Sequence, residues 1–311
     1  MRRREVRLRE NHAHRQQTFG RLVAMRTASE WKELYARERA SLGQRALEGM
    51  LDRAPEVWLP ARGALVFPHT RLSRSGELVA AVARAVVQSG ADRVLALGVL
   101  HGARAEDQPT VEAARRGDAE ATAQLRRVHG AQIPGDASRW SEEFSLDGFA
   151  VLIELAARRA GRKAPELVLR YPFLVGEEPA SLPGIDALLE LTSSGCVLVG
   201  TTDPLHHGLG YGTEAAFARD AAAPETVAWA RDAIAAQTRA LEGGNYAAFQ
   251  QLARAHRSDF RDTGPVLAHL LRAHGALSFE QHALTLVDYS DVLEAPPPTW
   301  VAAAMLSAHV H

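Results

Sequence analysis

A single cysteine, Cys196, stands in a chain of 311 residues. That excludes an internal disulfide framework, zinc sites built from several thiolates, and iron–sulfur clusters. No run approaches the roughly 18 consecutive apolar residues of a membrane span. The amino-terminal MRRREVRLREN has no apolar segment behind its basic residues and does not read as a secretory signal; Glu5 and Glu10 argue against an acid-poor transit peptide. A cytoplasmic location is the expectation. Charge of one sign is also missing, the formal net charge being −1. A nucleic-acid binder or an anionic-membrane binder normally carries a clear positive excess, so neither partner is expected. Lysine occurs only at Lys32 and Lys163. The nucleophile elbow of serine hydrolases, the HExxH helix of zinc proteases and the glycine-rich, lysine-containing phosphate loop are all absent.

What is present is an ordinary globular composition, 46% apolar and 23% charged, with thirteen histidines. Many imidazoles and almost no thiol point to imidazole and carboxylate chemistry. Residues 1–50 read as an N-terminal polar arm followed by a helix, the helical pattern running from Thr27 to Arg53 until Pro55 and Pro60 stop it. Residues 51–311 read as a single α/β domain. Short apolar runs at Gly63 to Pro68, Arg93 to Leu100, Glu166 to Phe173 and Cys196 to Asp203 alternate with helical stretches at Ser75 to Gly90, Leu146 to Gly161 and Ile185 to Leu191. Three further helices are expected at 224–242, 245–256 and 264–274, then two closing strands, Phe279 to Val292 and Thr299 to Val310. Continuous apolar strands alternating with helices imply a mixed, largely parallel central sheet with helices on both faces. Residues 104–142 form a polar excursion of the kind that serves as a lid or binding loop.

In such sheets, ligands bind outside the carboxyl ends of the strands. His69 follows the first apolar run, His101 the second, and Asp203 the fourth, with His206 and His207 just beyond. If these strands are parallel and adjacent, their side chains converge on one edge. Two neutral imidazoles and a carboxylate on one face suit a non-haem metal with open positions. The remaining histidines carry no such pattern. His12 and His14, and His309 and His311, read as solvated tails, His129 as a solvated loop residue, and His256, His269, His274 and His282 as surface or partly buried. The glycine-rich run Gly208 to Gly212 reads as a flexible turn.

These segments resemble one family. PHTRLSRSG (Pro68 to Gly76) resembles the PHAGYxxSG motif of the Memo-like proteins, also called protein B of the AmmeMemoRadiSam system. LGVLHG (Leu97 to Gly102) resembles its GxxH strand end. TTDPLHHG (Thr201 to Gly208) resembles its SSDFSHYG motif, keeping the Asp, the His and the Gly. DTGPVLAHLL resembles its CGxxPI helix start and TWVAAAMLSA its last strand. The order holds across roughly residues 40 to 310.

The resemblance implies a fold like that of the class III extradiol ring-cleaving dioxygenases, with non-haem iron as the expected metal. It implies His69 and His101 as metal ligands, and Asp203 and His206 as catalytic residues, His206 moving protons. Two positions depart from the family. Its EHSxE motif reads Glu143-Phe144-Ser145-Leu146-Asp147 here, so Phe144 replaces a histidine. Its cysteine ligand falls on Arg261, which cannot bind a metal. Asp262, next along, either supplies the missing carboxylate or caps the helix beginning near Gly264. Three functions follow: an extradiol dioxygenase-like oxidoreductase acting on a small molecule, for which an aromatic compound is one candidate; a metallohydrolase; or a non-catalytic scaffold that binds a protein partner and has lost the site. Cys196 is expected to be a buried core residue. Oligomeric state is left open.

Overall fold

A computed structural model describes residues 27–101, 107–128, 130–131 and 143–311. The expected polar arm, His12, His14 and His129 lie outside these residues. The chain is α/β, with a mixed seven-stranded sheet and helices on both sides. The strands are β1 (Gly63–Phe67), β2 (Arg93–Leu97), β3 (Glu166–Arg170), β4 (Val197–Thr201), β5 (His206–Gly208), β6 (Leu277–Asp288) and β7 (Thr299–Val310). The helices are α1 (Ala28–Arg53), α2 (Leu72–Ser89), α3 (Gln108–Arg115), α4 (Ala119–Val128), α5 (Asp147–Arg159), α6 (Ile185–Ser193), α7 (Pro224–Glu242), α8 (Tyr246–Ala255) and α9 (Phe260–Arg272). No helix among the described residues is long and apolar enough to cross a membrane.

Strands β3, β2, β4 and β1 lie side by side in that order, all parallel. Strand β7 then runs antiparallel to β1. Its other edge is covered along its length by β6. On the edge shared with β1, β7 is used twice: β1 pairs with Leu306–His309, and β5 pairs with Thr299–Val301. The carboxyl end of β1 therefore faces the start of β5 across a short gap, and His69 and His206 flank it.

Strand alternation divides the core. Leu65 and Phe67 of β1 and Val94 and Ala96 of β2 face α1, α2 and α5; Ala64, Val66, Leu95 and Leu97 face α6 to α9. Helix α1, read from sequence as part of an extension, adds Leu47, Met50 and Leu51 to the first core. It also caps α2: Glu38 accepts from the backbone N–H groups of Leu72 (3.2 Å) and Ser73 (3.3 Å). Cys196 is buried and free, one residue ahead of β4.

Phe149 of α5 is fully buried and stacks on Phe67 at 4.7 Å. Phe149→Ala is expected to lower stability by about 3–5 kcal/mol, since it leaves a cavity between a helix and the sheet. Urea denaturation measures this directly.

Three further differences separate the sequence reading from the structure. The Gly208 to Gly212 run is a bonded turn: Leu209 N–H donates to Pro298 O (2.9 Å) and Gly210 N–H to Thr299 Oγ1 (2.9 Å). His309 and His311 are not tails, for their Nε2 atoms bond Ser307 Oγ (2.7 Å) and Ser278 Oγ (2.8 Å). The third difference bears on the site. Helix α9 begins at Phe260, not near Gly264. Gly264-Pro265 reads as a helix start because proline is at home in a first turn. Here Pro265 lies inside the helix. It cannot donate to the carbonyl four residues back, that of Arg261. Buried Gln250 of α8 makes up the loss, its Nε2 donating to Arg261 O at 2.7 Å.

Candidate metal centre

The strand order β2–β4–β1 brings three ligand-type residues together at the carboxyl edge, with Asp203 between His101 and His69. His69 Nε2 lies 3.2 Å from His101 Nε2 and 3.6 Å from Asp203 Oδ2. His206, in β5, comes in across the gap. Its neighbour His207 points the other way, as strand geometry requires. There it packs between Trp229 and Trp300 and accepts the Arg219 N–H at 3.0 Å.

The carboxylate at the centre of this group is Asp259. Its Oδ2 lies 3.3 Å from His69 Nε2, 3.4 Å from His206 Nε2 and 3.9 Å from His101 Nε2. Asp262, expected from the sequence, is engaged elsewhere. Its Oδ1 accepts the Val175 N–H at 2.9 Å, and its Oδ2 lies 3.6 Å from Arg261 Nε. The shift follows from where α9 begins. A helix starting at Phe260 puts Asp259 at its mouth, about one turn ahead of the expected position. Asp259 does not spend its side chain on capping; Ser258 Oγ takes that role, accepting from Phe260 N–H at 3.1 Å. The Asp259 N–H donates to Asp203 O (3.1 Å), tying the helix mouth to the end of β4. The one sequence signal for Asp259 was the Ser-Asp pair before an amphipathic helix, an ordinary capping pattern.

Each ring is fixed from behind. His101 Nδ1 lies 3.0 Å from Glu143 Oε1. His206 Nδ1 lies 2.7 Å from Arg257 O, a residue at φ 51°. His69 Nδ1 lies 3.3 Å from Thr201 Oγ1, whose hydroxyl proton is already given to Phe67 O at 2.8 Å. All three partners must accept, so all three Nδ1 atoms carry the proton. The three Nε2 atoms therefore point inward at one another and at two carboxylates. His69 Nε2 and His101 Nε2, 3.2 Å apart, need a proton or a metal cation between them, and backing of this kind is typical of metal-bound histidines. The triads His69, His101, Asp259 and Asp203, His206, Asp259 each keep their ligand atoms within 4.8 Å and could hold a metal ion.

The charges agree. Burial lowers the His69 pKa, favouring the neutral ring that binds metal, and its bond to Asp259 offsets this only in part. Burial works against His101 too, but Glu143 outweighs it and raises its pKa. Burial and then the nearby Asp259 charge push Asp203 well above the usual carboxylate range. Asp259 is disfavoured by burial as well, yet the His206, His69 and His101 rings hold it below that range.

Phe144 and Arg261 both lie beside the cluster and neither blocks it. Phe144 stacks on His101 at 4.3 Å and on Tyr35 of α1 at 4.9 Å, so it packs against the His101 ring and offers no ligand atom. Arg261 turns to Asp262, with its side chain 43% exposed, and does not fill the site. Tyr35 Oη bonds Tyr289 Oη at 2.7 Å, and Tyr211 meets His206 edge-on at 4.9 Å. His69 and Asp203 are buried, while His101, His206 and Asp259 keep partial exposure, so the site opens on their side.

Glu143 also accepts the backbone N–H groups of His101 (2.8 Å), Phe144 (2.8 Å) and Ser145 (2.9 Å). Glu143→Gln keeps the shape but puts an amide beside the His101 ring. It is expected to weaken divalent-metal binding by about 10–100-fold, read by competition with a chromophoric chelator.

The fold and these side chains define a class: an α/β protein with histidine and carboxylate side chains gathered at the carboxyl edge of the parallel strands of a mixed sheet. Compared with models of known families and with curated proteins, the chain matches none.

Proposed function

We propose that this chain is a non-haem metal-dependent oxidoreductase, similar in fold and donor set to the class III extradiol dioxygenases and the Memo-like proteins. The observation that carries the reading is the inward aim of the three Nε2 atoms, fixed by the acceptors behind each ring. A scaffold that had lost its site has no need to keep them so. His69, His101 and Asp259 would hold the ion, replacing the family's thiolate with a carboxylate. Two imidazoles and one carboxylate are the donor set of iron(II) sites that bind substrate and dioxygen on their open positions.

The chain's own residues do the rest. His206 Nε2 faces the half-open side and takes a proton from a substrate hydroxyl. Its Nδ1–H stays on Arg257 O and Asp259 lies 3.4 Å from Nε2, so the charged ring is steadied at both ends. Tyr211 beside His206 offers a ring wall suited to an aromatic molecule.

The test is anaerobic loading with iron(II), metal analysis, and oxygen uptake with dihydroxy-aromatic substrates beside ester and amide hydrolysis. Stoichiometric iron with substrate-dependent oxygen uptake supports the reading. Hydrolysis without oxygen uptake moves the protein to the metallohydrolases. A chain that takes up no metal is not an enzyme of this kind.

A further inference from the structure

The donors at the centre outnumber what the first ion uses. We propose that Asp203, His206 and Asp259 form a second divalent-cation position, bridged to the first by Asp259. Filling it takes His206 out of proton transfer, so the second ion is inhibitory. This rests on the function proposed above, in which His206 is free when one ion is bound.

Three observations converge. First, the five donors fall into two triads that share only Asp259, each with its ligand atoms within 4.8 Å of one another. An ion with bonds of about 2.1 Å spans only about 4.2 Å between opposite donors. One ion at His69, His101 and Asp259 therefore leaves Asp203 and His206 unused. Second, Asp203 is 3% exposed and its Oδ1 has no hydrogen-bond partner. A buried carboxyl oxygen without a partner calls for a proton or a cation. No lysine or arginine among the described residues supplies one: Arg71 pairs with Glu38 and Asp291, Arg261 with Asp262, and Arg257 bonds Gly212 O. Third, Asp259 Oδ2 is already near equidistant from His69 and His206, at 3.3 and 3.4 Å. A carboxylate between two such groups is how sites with ions about 3.5–4 Å apart are bridged.

Manganese(II) suits these oxygen and imidazole donors and reports its own surroundings. The full chain, freed of metal by a chelator, is titrated with manganese(II) and followed by calorimetry and electron paramagnetic resonance. Two ions per chain are expected, in a tighter and a weaker step, with an exchange-coupled spectrum at saturation. Asp203→Asn and, separately, His206→Gln should each abolish the weaker step and the coupling while keeping the tighter step. A wild-type chain that saturates at one uncoupled ion overturns the second position. If that ion is lost in His69→Ala, the proposed function still stands. Two ions without coupling also overturn the inference, since Asp259 then bridges nothing. No bound ion at all overturns both readings.

Discussion

Asp259→Asn is expected to remove the tightly bound metal, lowering affinity by at least about a thousandfold. Loss of an outer partner of a ligand costs about 10–100-fold, and loss of the ligand itself costs more. Among the described residues, Asp259 is the only carboxylate within 4 Å of all three Nε2 atoms. An asparagine there keeps the volume but brings no negative charge. Asp262→Asn is the matched control. Its oxygen can still accept the Val175 N–H, and it takes no part in the cluster. Metal content after dialysis should fall in the first variant and hold in the second. The reverse result would restore the ligand set expected from the sequence.

Gly208→Ala is expected to destabilise the fold by about 3–5 kcal/mol and to displace His206. Gly208 has φ 103° and ψ −174°, a region open in practice only to glycine, where another residue costs about 1–3 kcal/mol. A Cβ there would also lie 2.0 Å from Pro298 O, a backbone atom that cannot turn aside. The chain must move, and β5 with it. Gly43, at the kink in α1, separates the two contributions. It has φ 68° and ψ 169°, the same kind of backbone, but an added methyl group would meet nothing within 4 Å. Gly43→Ala should therefore show the conformational cost alone, about 1–3 kcal/mol. Denaturant unfolding of both variants measures the difference. Equal losses would show that contact with Pro298 adds nothing.

Much of the site was legible because its residues follow strand ends. A run such as RVLAL has one natural place, in a covered sheet, and the residues after it fall at an edge. His69, His101 and Asp203 needed only that rule and the strand order. Residues that reach the site from elsewhere were harder to read. Tyr35 comes from α1, which reads as an extension because nothing local in its sequence shows that it packs beside Phe144. Asp259 was missed because Gly264-Pro265 imitates a helix start, and the group that lets Pro265 sit inside a helix, Gln250, belongs to another helix.

The sequence by itself determined the alternation of strands and helices, the covered sheet and the chemistry available: imidazole and carboxylate, with a lone cysteine in the core. These depend on periodicity and composition, which are local. Only the tertiary structure decided which carboxylate stands among the histidines and which way each ring faces. Those depend on contacts between distant segments: Glu143 behind His101, Arg257 behind His206, Thr201 behind His69. A hydrogen bond of about 3 Å fixes a tautomer, and no pattern along the chain records which segment will supply it.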